Sequence, residues 1–572
     1  MDQNLTEFCR NVAISNDYED FIIEYQTNLP SPPSGLVPVC YITLSSRFAV
    51  FHQPRDPEYE LKFVNLYGYN MIPDLFGLLD TTSVEATGTL KVRRQPYLDV
   101  YGNGTIIGFV DTGIDYQNPL FQNADGTTRI ISIWDQADQS GDLPPDIYYG
   151  SEYTREDINR ALQSDTPLSI VPSTDELGHG TFMAGIAAGG IDTRNDFTGI
   201  APNSDIVMVK LKQAKPYLKS LYAIGQDKVA YSSNDIMMGI HYIWEVAKRE
   251  KKPVVVCIGV GSNAGDHTGR DVLSSFLNLY GDLSGNCIVI AGGNEGNRGH
   301  HFRGELSNLD ESIPMEIRVG RDEPGFTVEL WGQLPNLFSI NIVSPTGQVI
   351  PRRLAKLQSS EQINLTFEKT SLDIRYNTRE ERTGDELIFI RFQNPTEGIW
   401  TVNLFADTKG KQTIDAWLPM EQLISEDTYF IRADPDVTIT QPGNTENAIT
   451  VAAYNHLTGS IYISCSRGPT RNGRQEPIVT APGVDVYGPV GINQFGVRTG
   501  TSIAAANTAG LASLLFEWGI IQRNSPYMNT TSIKHLLVSG ADRTEGLDYP
   551  NNIWGYGTIN LYESFNSLRL TS

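Results

Sequence analysis

Ser502 lies in a stretch of small residues, GTSIAAANTAG over 500–510, whose composition could activate a serine hydroxyl. Alanine and glycine dominate the positions after it, so the pattern predicts a helix that begins close to Ser502. One interpretation is a serine that caps this helix, a common role for serine. The other is a nucleophile, because helix N–H groups and the positive end of the helix dipole favour a developing negative charge. A serine hydroxyl is too weak an acid to attack unaided, so the second interpretation requires a base elsewhere in the chain.

The strongest candidate for that base is His179, one of eight histidines, in the segment ELGHGTFMAGIAAGG. Gly178 and Gly180 remove side-chain bulk on both sides of the imidazole. The small residues that follow predict a helix able to pack close to the one after Ser502. A buried histidine with a structural role is the usual alternative. We interpret the others as structural or solvated, namely His52, His241, His267, His456 and His535, and treat His300 and His301 separately below.

A carboxylate that could orient the imidazole follows the run GTIIGFVDTGIDY. The apolar residues 105–110 predict a buried strand that ends at Asp111, and Thr112-Gly113 predicts a turn. Catalytic groups in doubly wound α/β folds collect at the carboxyl ends of parallel strands. The alternative is an ordinary turn aspartate or helix cap. Asp111, His179 and Ser502 together therefore predict a catalytic triad.

The chain order aspartate, histidine, serine is the order found in subtilisin-type enzymes. With its surrounding motifs, the sequence resembles the subtilases, a family of serine endopeptidases, over about residues 83–302 and 431–572. The resemblance implies an α/β catalytic domain with a doubly wound parallel sheet, assembled from these two parts of the chain. It also implies hydrolysis of peptide bonds without a cofactor.

Two further motifs take their roles from the resemblance. NCIVIAGGNEG predicts a buried strand that ends at Asn294, whose amide would stabilise the oxyanion beside the Ser502 N–H. In subtilisin such a donor contributes roughly 2.7–4 kcal/mol. PVVVCIGVGSNAG resembles the edge that pairs with extended substrate, and we assign Gly259 and Gly261 to it. One departure is Glu476, where the family usually has an aspartate.

Two additions flank the catalytic parts. Residues 1–82 contain the strand-like runs EDFIIEYQ and CYITLSSRFAVFH and resemble a subtilase α+β prodomain, which chaperones folding and inhibits with its tail in the cleft. Residues 303–430 contain eight short strand-like runs, and their regular spacing predicts an inserted all-β jelly-roll sandwich. The runs are MEIRVG, GFTVELWG, LFSINIVSPTG, INLTF, SLDIRYN, ELIFIRF, GIWTVNLF and QTIDAWLP.

This arrangement most resembles the clostridial spore germination proteases, which activate the precursor of a cortex-lytic hydrolase. The resemblance implies a monomer that cuts itself, keeps its prodomain in the cleft, and is packaged in the spore. The segment FGLLDTTSVEATG predicts a cut between about residues 78 and 88, because TTSVEATG is small, polar and unlikely to be helical. The basic pair Arg93-Arg94 is an alternative site, but a cut there would leave little chain ahead of Asp111. Two alternatives remain open: a vegetative protease without a role in spores, and a pseudoprotease-like sensor or binding protein. The complete triad favours activity over the second of these.

Composition limits the partners. The formal net charge of −23 argues against nucleic acid and anionic membranes, both of which favour a basic surface. We expect no transmembrane run and no secretory signal in MDQNLTEFCRNVAIS, hence synthesis in the cytoplasm. Five scattered cysteines support neither a disulfide framework nor a zinc site. His300 and His301 could bind a metal, but adjacent histidines need further ligands, so we expect no metal and a role in the S1 wall or a hinge.

Overall fold

The computed structural model of the chain describes residues 3–25, 40–55, 69–78, 85–93, 95, 98–309, 311–355 and 358–569. Its helices are α1 Gln3–Ile14, α2 Thr89–Arg93, α3 Arg155–Leu162, α4 His179–Ala188, α5 Pro216–Leu221, α6 Ser233–Glu250, α7 Val272–Gly281, α8 Thr501–Phe516, α9 Thr530–Ser539 and α10 Leu561–Arg569.

A nine-stranded sheet forms the centre of the molecule. Its strands are β5 Ile106–Asp111, β6 Ile130–Asp135, β7 Ser151–Thr154, β8 Asp205–Lys210, β10 Val254–Ile258, β12 Asn286–Ala291, β24 Ile449–Asn455, β25 Ser460–Ile461 and β26 Val479–Pro482. They follow the order β25-β24-β12-β10-β5-β8-β6-β7, with β26 also paired to β24. All pairs are parallel except those of the outer strands β7 and β25. The carboxyl ends of β5, β10 and β12 therefore meet at one edge of the sheet.

Helices cover both faces of this sheet. Helices α4 and α8 belong to the core on one face, and α6 and α7 to the core on the other. This confirms the predicted doubly wound α/β domain. The helical span Thr501–Ile521 is the one candidate for crossing a membrane among the residues described, and 89% of its most apolar window is buried in the protein. It is accordingly a core helix.

The N-terminal region forms a separate three-stranded antiparallel sheet from β1 Tyr18–Glu24, β2 Cys40–Thr43 and β3 Phe48–Pro54, in the order β1-β3-β2. The second predicted run, CYITLSSRFAVFH, is thus two strands rather than one. Apolar residues of this sheet, including Ile22 and Val50, share a core with Trp244 of α6 and Phe276 of α7. The sheet therefore packs on the outer face of those two helices.

One prediction about the cysteines is wrong. Cys9 on α1 and Cys40 on β2 form a disulfide, with Cα atoms 5.4 Å apart. The two residues are 31 positions apart in the sequence, and only the packing of α1 against the sheet brings them together. The remaining cysteines, Cys257, Cys287 and Cys465, are free and buried. The first two of these confirm the interpretation of their apolar runs as buried strands.

Residues 301–430 contain two antiparallel sheets that enclose a single core. One sheet has the order β13-β22-β15-β20-β19-β18 and the other β17-β16-β21-β14-β23. The strands are β13 His301–Leu306, β14 Ser312–Val319, β15 Gly325–Gly332, β16 Phe338–Val343, β17 Val349–Arg353, β18 Gln358–Asn364, β19 Ser371–Asn377, β20 Glu386–Gln393, β21 Gly398–Ala406, β22 Gln412–Trp417 and β23 Tyr429–Phe430. Each of the eight predicted runs overlaps one of these strands, whereas β13, β17 and β23 were not predicted.

Two small sheets complete the fold. The first has the order β11-β4-β9, with β4 Leu75–Leu78, β9 Tyr231–Ser232 and β11 Val260–Gly261. The second is a hairpin of β27 Val486–Gly491 and β28 Gln494–Arg498, which leads directly into α8. Both lie beside the carboxyl-end edge of the central sheet, where the candidate site is located.

A buried glutamate in the two-sheet region of residues 301–430 makes the stability of that region depend on pH. Glu386 on β20 is fully buried; its Oε2 accepts a hydrogen bond of 2.8 Å from the Phe338 N–H, and its Oε1 has no hydrogen-bond partner. Burial raises the pKa of Glu386 to about 8. In the unfolded chain the value is about 4.3. The protonated form of Glu386 therefore contributes its full free energy of unfolding below the unfolded pKa. This contribution decreases as pH rises and is lost above the folded pKa.

We expect Glu386→Gln to melt close to the wild type at pH 5 and several degrees above it at pH 9, because the amide cannot ionise. Differential scanning calorimetry at the two pH values measures this. Glu426→Gln, a change at an exposed position, is the matched control and should follow the wild type at both. Equal melting temperatures for the wild type and Glu386→Gln at pH 9 would contradict the assignment.

Candidate active site

Asp111 is the last residue of β5 and is 1% exposed. Its Oδ1 accepts a hydrogen bond of 2.8 Å from the N–H of Thr112. The same oxygen lies 2.6 Å from Nδ1 of His179. The strand thus delivers the carboxylate to the sheet edge, and the turn residue after it fixes the rotamer. This is the location that the sequence predicts for an orienting carboxylate.

His179 is the first residue of α4 and is 3% exposed. With Nδ1–H donating to Asp111, Nε2 is left as an acceptor, and it lies 3.1 Å from the hydroxyl oxygen of Ser502. A Cβ on Gly180 would lie 2.2 Å from the Gly113 carbonyl oxygen, so no larger residue fits there. The flanking glycine is therefore required for the close approach of α4 to the strand end.

Ser502 is the second residue of α8, after Thr501, and is fully buried. The residue at the N-cap is Gly500, and no side chain caps this helix. The interpretation of Ser502 as a helix cap is therefore wrong, because its hydroxyl faces His179. Its backbone N–H is among the first N–H groups of the helix, which have no partner within the helix itself. The side chains of Ser502, His179 and Asp111 thus form one hydrogen-bonded chain.

Asn294 follows β12, which ends at Ala291, three residues earlier than the sequence predicts. Its Oδ1 accepts hydrogen bonds from the backbone N–H of Thr501, at 3.1 Å, and from the Thr501 hydroxyl, at 3.0 Å. Because the oxygen is held on this side, the NH₂ of the amide faces the other way and is available as a donor. The side chain of Asn294 contacts Thr501, and Ser502 is the next residue in the chain. The Asn294 amide and the Ser502 N–H are the kinds of donor that form an oxyanion hole.

Gly259 and Gly261 lie at and beside β11. A Cβ on Gly259 would come within 3.0 Å of Met183 Cε, 3.1 Å of Asp111 Oδ2 and 3.2 Å of His179 Cε1. A Cβ on Gly261 would lie 2.6 Å from Oγ1 of Thr440. Both positions therefore tolerate only glycine without displacement of a neighbour. The edge formed by these two glycines begins at Gly259, beside the His179 imidazole, and extends away from it to Gly261.

Residues of the chain's own N-terminal region occupy that edge. Strand β4 pairs antiparallel with β11, with Leu78 opposite Val260 and Gly77 opposite Gly261. On its other side it pairs with β9, with Phe76 opposite Tyr231. The side chains of Leu75 and Phe76 are buried, at 2% and 0% exposure. An extended peptide thus lies between β9 and β11, and its carboxyl end points toward His179.

The adjacent histidines contact two different carboxylates. Nδ1 of His300 lies 2.5 Å from Oε2 of Glu295, the residue after Asn294, and both side chains are buried. Burial alone would raise the pKa of Glu295, but His300 lowers it below its usual range. His301 instead faces Asp415 of β22 at 3.1 Å. No group of three potential ligands that could hold a metal is found among the residues that the structure describes.

These residues have the geometry of a serine hydrolase site and lie at the carboxyl-end edge of a doubly wound α/β domain. The subtilase family matches residues 102–353 and 430–557, more than half of the chain, and the chain belongs to this family of serine endopeptidases. The interruption of the match at residues 354–429 falls inside the predicted insert. The structural neighbours include the Clostridium perfringens CspB protease, with a TM-score of 0.76 and 29% identity, covering 85% of this chain and 97% of that one.

The curated relatives match shorter segments. Serine protease AprX of Bacillus subtilis is 33% identical over 147 residues, which is 22% of this chain and 31% of AprX. Pyrolysin of Pyrococcus furiosus is 32% identical over 111 residues, 18% of this chain and 8% of pyrolysin. The chain thus spans less than a third of the length of either relative.

Proposed function

We propose that the chain is an active serine endopeptidase that first cleaves its own N-terminal region and then a protein substrate. Ser502 Oγ attacks the peptide carbonyl while His179 Nε2 takes its proton and later delivers it to the leaving amine. Asp111 holds Nδ1–H and stabilises the imidazolium. Asn294 and the Ser502 N–H donate to the oxyanion. The hydrogen-bonded chain of the three side chains is the observation that carries this proposal.

Self-cleavage is supported by the position of β4. Its backbone forms a β-pair with the edge at Gly259–Gly261, the mode in which an extended peptide gains affinity from main-chain hydrogen bonds. Leu78 is opposite Val260, one residue short of Gly259, the residue beside the imidazole. The scissile bond therefore follows closely after Leu78. Of the interval 78–88 that the sequence predicts for the cut, residues 79–84 lie outside the described part of the chain.

The arginine pair 93–94 is less suitable as a cleavage site. Arg93 ends α2, and its Nη2 donates to the carbonyl oxygens of Gly199 at 3.0 Å and Ile200 at 2.7 Å. A residue held in this way cannot extend into the cleft without losing both bonds. We therefore retain residues 1–82 as the prodomain, 303–430 as a jelly-roll insert, and 83–302 with 431–572 as the catalytic domain.

A buried ion pair supports a prodomain that stays bound after the cut. Asp20 on β1 accepts from Nζ of Lys215, at 2.7 Å, and lies 2.7 Å from Nδ1 of His52. Burial alone would raise the pKa of Asp20, but Lys215 and then His52 hold it well below its usual range. Removing either partner would leave a buried charge without compensation, which is costly. The N-terminal sheet is thus held to the catalytic part independently of β4.

The biological substrate follows from the resemblance to the clostridial spore germination proteases. We propose that it is the precursor of a spore cortex-lytic hydrolase, and that the enzyme is synthesised in the cytoplasm and packaged in the spore as a monomer. The alternatives are a vegetative protease and a binding protein with an inactive site. Immunodetection in spore extracts but not in growing cells supports the spore role; the reverse result supports the vegetative one.

A serine-directed fluorophosphonate probe tests the activity itself. We expect the processed protein to be labelled at Ser502, since the probe requires an activated nucleophile, and Ser502→Ala to remain unlabelled. Tryptic mapping by mass spectrometry locates the adduct. A folded, processed protein that takes up no label would support the binding-protein alternative instead.

A further inference from the structure

Arg498 lies beside the segment that leads into His179, whereas β4 occupies the edge at Gly259 and Gly261. It is the last residue of β28 and lies four positions before Ser502. Its Nη2 donates to the carbonyl oxygen of Leu177 at 3.2 Å, and its Cζ is 5.6 Å from the ring centre of Phe182. The guanidinium therefore rests on the first turn of α4, beside the segment that precedes His179.

The chain leaves room for this guanidinium. A Cβ on Gly178 would lie 3.0 Å from Nη2 of Arg498, and the φ of Gly178 is +69°, which also favours glycine. The hairpin is fixed against α4, because a Cβ on Gly185 would meet Pro489 at 2.3 Å and one on Gly488 would meet Phe182 at 2.6 Å. Arg498 is partly exposed.

The direction of β4 determines which part of a substrate passes Arg498. The residues before the scissile bond lie between β9 and β11, and the chain runs toward His179. After the bond, the substrate chain passes His179, and residues 177–178, which Arg498 contacts, immediately precede this histidine. A carboxylate among the first residues of the leaving group would there meet a guanidinium at the positive end of a helix.

The chain's own sequence carries such a carboxylate. The segment after Leu78 reads LDTTSVEATGTLK, so Asp80 is its first charged residue, Glu85 is its second, and the first basic residue is Lys91. We propose that Arg498 is a specificity-determining residue that binds an aspartate or glutamate on the leaving-group side of the scissile bond. The preferred substrates are then protein segments with an acidic residue within the first few positions after the cut. This inference rests on the proposed peptidase activity.

Internally quenched peptides with the sequence of residues 75–84 test it on the purified full chain. Three peptides carry aspartate, asparagine or lysine at the position of Asp80. We expect the wild-type kcat/KM to be about tenfold higher for the aspartate peptide than for the asparagine peptide, the preference of one charge-assisted hydrogen bond. Both kcat/KM values are measured on one preparation. Molecules whose cleft is occupied by β4 therefore lower both values equally and leave their ratio unchanged.

Variants of Arg498 separate recognition from structure. Arg498→Gln should bring the aspartate-to-asparagine ratio close to one, and Arg498→Glu should favour the lysine peptide. Arg543→Gln, an exposed arginine elsewhere, is the control and should keep the wild-type ratio. If Arg498→Gln lowers kcat/KM equally for all three peptides, Arg498 has a structural role and the inference is overturned.

The proposed activity and this inference fail in distinguishable ways. A preparation that is labelled by the fluorophosphonate probe but cleaves the aspartate and asparagine peptides at equal rates overturns the inference alone. A preparation that is neither labelled nor active on any peptide overturns the proposed activity, and the inference with it.

Discussion

Ser502→Ala protein is expected to remain a single 63.3 kDa chain, whereas the wild-type protein separates into two fragments. The fragments should be of roughly 80 and 490 residues, because cleavage next to β4 requires acylation of the serine. In the proposed mechanism Ser502 Oγ forms the covalent bond, so the variant should also lose about 10⁶-fold in kcat, as subtilisin does without its nucleophile. Denaturing electrophoresis and N-terminal sequencing of the larger fragment measure both the cut and its position.

The matched control lies on the same helix. Ser513 is also a buried serine of α8, but its hydroxyl lies 2.6 Å from Thr105 Oγ1 and 2.7 Å from Ser204 Oγ, away from His179. Ser513→Ala should therefore lose stability without losing self-cleavage. If pure Ser502→Ala protein is cut at the same bond as the wild type, cleavage is not autocatalytic and this part of the proposal fails.

The grouping of the candidate triad could be predicted from the sequence because each of its residues lies where one element ends or begins. Asp111 closes an apolar strand, His179 and Ser502 begin helices of small residues, and the flanking glycines mark close approaches. These signals are local, so they can be read without knowing the packing. The structure brings all three side chains within hydrogen-bonding distance.

Other features depend on contacts between distant segments. The disulfide of Cys9 and Cys40 joins parts of the chain that carry no mutual signal in the sequence. A prodomain tail in the cleft is expected from the family resemblance alone, and the register of β4 against β11 comes from the structure. Strand β17, VIPRR, has a proline and two arginines and lacks an alternating pattern. It lies at the edge of its sheet, where one side is unpaired and proline is tolerated. Tertiary pairing, rather than local propensity, forms such strands.

Asp111→Asn is expected to lower kcat by about 10⁴-fold and to change KM far less, the loss known for the equivalent change in another serine protease. In the proposed mechanism, proton transfer from Ser502 creates an imidazolium on His179, which is 3% exposed beside an Asp111 that is 1% exposed. Water cannot screen a charge at that depth, so the imidazolium depends on the carboxylate for its counter-charge. The asparagine oxygen can still accept from the Thr112 N–H, so the loss should arise without unfolding.

Kinetics on the quenched aspartate peptide, with a thermal melt to confirm folding, measure this change. Asp115→Asn removes a carboxylate four positions further along and is the matched control; its backbone N–H, which is unaltered, donates to Thr181 Oγ1. We expect it to retain kcat within about tenfold, because a charge outside the hydrogen-bonded chain acts on the imidazolium only at longer range. Asp111→Asn protein that keeps more than a tenth of wild-type kcat would show that His179 does not need this carboxylate, and the base would then have to be stabilised by another group. The size of the loss in kcat therefore tests the role of the hydrogen-bonded chain from Asp111 to Ser502.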